Sequence, residues 1–254
     1  MEGNTSYVSG NSFHDGFNTG IGVFGTNNLT IKDNIVHHTV GPSIRVIGEF
    51  VSLLRNLAVY SLSIHTYNGR KDKSNLQWPG AIEVDQAKDV ILINNTVAGS
   101  ERFGFKISGE KCSDGPGISV GNEVHGAWHG MHLPYEIEIK GCSMLSGYMT
   151  WRNFDYGIFL YGEPSVIIDN VISVENTVGM FPNVWGPHAL SHPTADKYVI
   201  VRNTLIVGTS PGYDCAHDSI VPYARQPYGG IGAKKAPGGM SYLLKHNAYA
   251  LHLP

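Results

Sequence analysis

The sequence predicts an all-β protein: a right-handed parallel β-helix (a solenoid) of about eight coils, with 22–24 residues per coil and loop insertions. Three observations predict it. Asparagine recurs at a nearly fixed interval, short apolar–variable–apolar segments recur in step with it, and the composition excludes the helical alternatives. The chain has 254 residues with 31 Gly, 13 Pro and 18 Asn, and only 15% of it is charged. A helical bundle or coiled coil needs more Ala, Glu, Lys and Leu and fewer breakers. A net charge of −3 with 13 Tyr, 9 Phe and 4 Trp excludes a charged, aromatic-poor disordered tail. It also lacks the basic footprint of a nucleic-acid binder.

The elements follow in chain order. Asn11 opens the asparagine series, which continues through Asn34, Asn56, Asn95, Asn122 and Asn170 to Asn203. Its steps of 23 and 22 residues give the bare period, and the step of 27 leaves room for a short insertion. The steps of 39 and 33 carry loops at 63–80 and 181–197, and the step of 48 spans two coils, one lacking its Asn near Ser143. Between the asparagines lie Gly20–Gly25, Ser43–Gly48, Ala81–Asp85, Gly104–Gly109, Gly130–Leu133 and Gly157–Gly162, each a small residue followed by an alternating apolar pattern. Period-2 alternation over so few residues argues for short strands. Two residues after each series Asn comes another apolar position: Phe13, Val36, Ala58, Val97, Val124, Ile172 and Leu205. An antiparallel sandwich would not explain this register. Asn suits the corner because it tolerates left-handed backbone and can bond to its own copy in the next coil, about 4.8 Å away. Residues 1–210 form the β-helix on this reading, and 211–254 an irregular C-terminal segment.

Outward positions of the apolar segments form a column of Gly22, Arg45, Glu83, Lys106, His132 and Phe159, in which Arg45, Glu83 and Lys106 alternate in sign. Such a column reads either as a cross-rung ion-pair ladder or as a polar strip for an extended ligand. Arg45, Glu83, Asp85, Lys106 and His132 are therefore the candidate ligand-binding residues. Glu83 and Asp85 share one strand face, and Asp15 and Asp155 are further candidate acids for glycoside chemistry. No catalytic set emerges. A corner after the series Asn is rich in imidazole, with His14, His37, Tyr60, Ala98 and His125 beside Asp15 and His38. The cluster His125, His129 and His132 falls at a strand–turn–strand corner, without the helical spacing of a zinc site. Neither metal nor cofactor is expected. Asn4, Asn28 and Asn94 begin N-x-S/T sequons, so they are glycosylation candidates. The three cysteines, Cys112, Cys142 and Cys215, allow at most one internal disulfide. No stretch of 18 apolar residues could span a bilayer and the N-terminus has no signal-peptide pattern, which by itself suggests a cytosolic chain or an excised fragment.

Particular strings carry more. Phe13–Thr30, Val40–Arg45, Ala81–Val84, Asn95–Gly99, Asp155–Ile158 and Ile206–Cys215 resemble the β-helix segment of the fibrocystin / fibrocystin-L family, from about Ser9 to Cys215. The resemblance implies a fragment of a large single-pass membrane protein, extracellular and receptor-like, displayed at the cell surface, cilia and stereocilia included. The ligand it implies is a protein or a glycan, with the membrane reached only through a span outside this stretch. It implies no enzymatic activity, although a related group of hyaluronan-degrading enzymes keeps a polysaccharide hydrolase or glycan binder as the alternative. Within that setting Cys112 and Cys142 are expected to pair across adjacent coils, leaving Cys215 free or bonded elsewhere. The end of the chain, Leu243–Pro254, departs from the family pattern and reads as a truncation or variant end.

Overall fold

The structure, a computed structural model, describes residues 6–63, 79–84, 89–107, 110–112, 119–133, 142–162, 165–184, 198–208 and 248–251. Every regular element among them is a strand, apart from a single 3₁₀ residue at Cys112. The first coil is β1 (Ser6–Ser9), β2 (Ser12–Gly16) and β3 (Ile21–Phe24), and the second is β4 (Leu29–Lys32), β5 (Ile35–Val40) and β6 (Ile44–Ile47). The third is β7 (Ser52–Leu54), β8 (Leu57–Leu62) and β9 (Gly80–Val84), and the fourth β10 (Ile91–Ile93) and β11 (Thr96–Ile107), which bends across a corner. β12 (Glu110–Lys111) is a short offshoot, and β13 (Asn122–Leu133) bends like β11 to make two sides of the fifth coil. The sixth and seventh coils are β14 (Cys142–Ser146), β15 (Tyr148–Trp151) and β16 (Tyr156–Gly162), then β17 (Ser165–Asp169), β18 (Ile172–Val174) and β19 (Val178–Val184). β20 (Val199–Arg202) and β21 (Thr204–Val207) begin an eighth, and β22 (Ala248–Leu251) pairs in parallel with β21.

Pairing is parallel throughout, except for β12 against β14. The result is a parallel β-solenoid in which six coils, the first to fourth, sixth and seventh, have strands on all three sides among the described residues, so about six complete turns stand where about eight coils were expected. The fifth and eighth coils lack a strand on one side among the described residues. Of the 63–80 and 181–197 loops, residues 64–78 and 185–197 lie outside the described residues, as do Asn4, Asp85, Cys215 and nearly all of 211–254.

The apolar register holds. Ile21, Ile44, Ile82, Phe105, Met131, Ile158 and Met180 stack as one buried interior column. Where the small residue before these positions is glycine, it has a packing reason. A Cβ on Gly104 would lie 2.7 Å from the Gly130 carbonyl and would run into the Val124 side chain from the facing wall, so only glycine lets the two walls approach there. Side chains from different walls thus interdigitate in a narrow prism at the close packing expected of a core.

The asparagine series needs a correction in both residues and reason. The left-handed residue at this corner precedes the ladder Asn: Asp33, Arg55 and Asn94 have φ of 56°, 52° and 53°, and Asn34, Asn56 and Asn95 follow them. The ladder side chains point inward. Asn34 Nδ2 donates to Asn56 Oδ1 (3.0 Å) and to the Val8 carbonyl (2.9 Å), and Asn56 Nδ2 donates to Asn95 Oδ1 (3.0 Å) and the Ile31 carbonyl (2.9 Å). Asn95 repeats the pattern onto Asn122. In the sixth coil the position passes to Tyr148, which pairs with Asn122 and donates to Ser119 Oγ (3.4 Å), so the missing Asn is there rather than near Ser143. Asn170 and Asn203 sit at the exposed left-handed position itself, at φ 51° and 50°, and are not ladder members. Accordingly Ile172 and Leu205 are not interior residues; Thr150, Ser173 and Ile206 continue the column of Val36, Ala58, Val97 and Val124. A second ladder starts at the next corner, with too few rungs to show as a repeat in the sequence. Asn153 Nδ2 donates to Asn176 Oδ1 (2.9 Å), and Asn176 Nδ2 reaches the Thr150 carbonyl and Ser173 Oγ.

Candidate functional site

The predicted outward column is real: Gly22 pairs with Arg45, Arg45 with Glu83, Glu83 with Lys106, Lys106 with His132, and His132 with Phe159. Its chemistry is a closed seam. The Glu83 side chain is fully buried, with Arg45 Nε at 3.6 Å and Lys106 Nζ at 3.2 Å from Oε1, while the Gly80 amide donates to Oε2 (3.4 Å). Parallel stacking puts one carboxylate between two cations, and their aliphatic stems shield it. With its carboxylate engaged on both sides, Glu83 offers no oxygen to solvent. Asp85, its expected companion, lies outside the described residues.

Below Lys106 the seam turns aromatic. His132 stacks between Phe103 (centroids 4.2 Å) and Phe159 (5.5 Å), and its Nδ1–H points at the Phe159 carbonyl (3.4 Å). Burial, with Lys106 and His129 adding positive field, pushes its pKa down to about 3; the hydrogen bond to Phe159 opposes this only in part. His132 is therefore a neutral ring at any physiological pH. Tyr156, Phe159 and Phe181 extend the stack.

The corner beside this seam holds what the sequence reading missed. Buried His129 places Nε2 3.4 Å from Asp155 Oδ2, and its Nδ1 has no partner among the described residues. Exposed Trp128 and Phe154 meet at 4.9 Å between centroids, with the Arg102 guanidinium 5.9 Å from the Trp128 ring. Trp128 and Phe154 are one coil length apart in the sequence, the signal that could have paired them.

The imidazole-rich corner also forms, with one exchange. His14 pairs with His37, but Val59 rather than Tyr60 follows His37; Tyr60 continues the left-handed column of Asp15 and His38. Asp15 accepts from His38 Nδ1 (2.7 Å) and His14 Nδ1 (2.9 Å), and these bonds hold its carboxyl below the usual range. No group of three potential ligands is placed to hold a metal ion among the described residues. Cys112 and Cys142 form a disulfide, Cα atoms 5.4 Å apart, tying β12 to β14.

Asparagine-laddered coils, stacked apolar columns and a sealed charge seam define a parallel β-solenoid segment. Its relatives share that segment with much larger proteins. Human fibrocystin-L is 41% identical over 222 residues, mouse fibrocystin-L 40% over 214, and dog fibrocystin 34% over 217. These matches take in 83–85% of this chain and 5% of each relative, so the chain is homologous to one segment of the fibrocystin / fibrocystin-L family and spans about a twentieth of its members' length. No protein-family profile and no solved structure matches it.

Proposed function

We propose that the chain is a non-catalytic extracellular module of a large receptor-like membrane protein, presenting a rigid face for adhesion or ligand binding at the cell surface, ciliary or stereociliary membranes included. The buried Glu83 carries this reading: the charges best placed for chemistry are engaged with one another. Ordered rungs on three sides keep that face stiff, which suits a binding surface whose partner need not order it. The likeness to fibrocystin-L and fibrocystin supports the setting.

One observation favours a second reading, a glycan binder or hyaluronan-type hydrolase: exposed Trp128 and Phe154 lie beside Asp155, an aromatic platform next to a carboxylate. Purified chain applied to cultured cells separates the two. Adhesion to a protein ligand predicts binding that protease treatment of the cells removes. Binding removed instead by hyaluronidase, or hyaluronan shortening that vanishes in Asp155→Asn, overturns the first reading in favour of the second. No binding to any cell surface defeats both.

A further inference from the structure

We propose that Asn28 carries an N-linked glycan whose first sugar packs against the ring of Phe50. Asn28-Leu29-Thr30 is a sequon, and Asn28 is exposed at a corner where φ is 56°. Its backbone N–H donates to the Glu49 carbonyl (3.2 Å), the bond of a parallel rung, and this register puts Phe50 directly beneath it in the next coil. Phe50 holds left-handed backbone (φ 55°), which a bulky residue avoids, and is 50% exposed; Tyr60 is alike in both (φ 54°, 51%) but stacks on His38 at 5.6 Å, whereas no ring or cation contact covers Phe50 among the described residues. Neither core packing nor a turn requirement explains an aromatic residue there. A pyranose rooted one rung away, about 4.8 Å, is within reach and would lay its C–H face on that ring.

The other described sequon makes the contrast. Asn94 is also exposed and left-handed, but the residue at its position in the next coil is Gly121. A sugar at Asn94 has no ring to cover. The Cys112–Cys142 disulfide independently fits the oxidising compartment where such glycans are added. In the reaction, Asn28 Nδ2 loses a proton and bonds the anomeric carbon of a lipid-pyrophosphate-linked oligosaccharide, and the lipid pyrophosphate leaves. The proposal is independent of what the module binds.

The test uses the full chain expressed behind a secretory leader in mammalian cells making only high-mannose glycans. Mass spectrometry is expected to find a glycopeptide at Asn28 that Thr30→Ala abolishes. Trimming to one N-acetylhexosamine should keep the thermal midpoint, while complete enzymatic removal should lower it by about 2 to 4 °C. That fall should disappear in Phe50→Ala and persist in Asn94→Gln. Unmodified Asn28, or an equal fall in Phe50→Ala, overturns the proposal.

Discussion

Replacing Asn56 by Ala tests the inward ladder against the corner reading of the asparagines. Asn56 is buried, and its amide takes part in four hydrogen bonds. Nδ2 donates to Asn95 Oδ1 and the Ile31 carbonyl, while Oδ1 accepts from Asn34 N (3.2 Å) and Asn34 Nδ2 (3.0 Å). At about 1 kcal/mol each the bonds amount to ~4 kcal/mol. The buried Asn34 amide left without its acceptor adds roughly 1–3 kcal/mol, so the substitution should cost about 5–7 kcal/mol. Asn170→Gly is the control. Asn170 is exposed at φ 51°, where glycine is unstrained, so its replacement should change stability by no more than about 0.5 kcal/mol. Urea unfolding followed by tryptophan fluorescence reads both, as midpoint shifts at constant slope. Equal, small costs for the two substitutions would refute the inward ladder.

The remaining expectations concern the seam and the crosslink. Glu83→Gln removes the charge between Arg45 and Lys106, and should destabilise by about 3–5 kcal/mol as a broken buried ion set does, measured by the same unfolding series. Because the folded-state pKa of His132 is depressed to about 3, below the ordinary 6.5, its contribution is fully present above pH 6.5 and is lost as pH falls toward 3. Between pH 7.5 and 5 that loss is ~2 kcal/mol. His132→Phe, which keeps the ring stack, should flatten the acid limb by that amount; an unchanged limb would contradict the buried neutral imidazole. Reducing the Cys112–Cys142 bridge, which closes a sequence separation of 30, should cost about 3–4 kcal/mol in a matched oxidised–reduced comparison, and no difference would mean that the bridge constrains little.

The parts of this fold legible in the sequence are those that a rung repeats unchanged. Ile21, Ile44 and Ile82 stack because each fills the same slot, and the spacing shows it; the Arg45–Glu83–Lys106 column follows from the same register. The ladder was legible only where it stays Asn. At Tyr148 a phenol takes the slot, and the nearest asparagines, Asn153 and Asn170, belong to other positions, so counting Asn alone slips by one residue. Burial was not legible. Nothing in an alternating Arg–Glu–Lys column says that its stems will close over the carboxylate, and that decides between a binding strip and a sealed seam. The Trp128–Phe154 pair was legible only through its coil-length spacing, because both side chains face outward and lie off the core columns.

Parallel register is the claim on which the ladder, the seam and the Asn28–Phe50 contact all depend. Cysteine crosslinking measures it most directly. His37 and Val59 are outward residues paired across the second and third coils, at a rung separation of about 4.8 Å that a disulfide can bridge. In a Cys215→Ser background, His37→Cys/Val59→Cys should oxidise rapidly and raise the unfolding midpoint, whereas His37→Cys/Tyr60→Cys, displaced by one residue, should oxidise slowly. Equal rates for the two pairs, or crosslinking favoured at Tyr60, would contradict the parallel stacking of His37 on Val59.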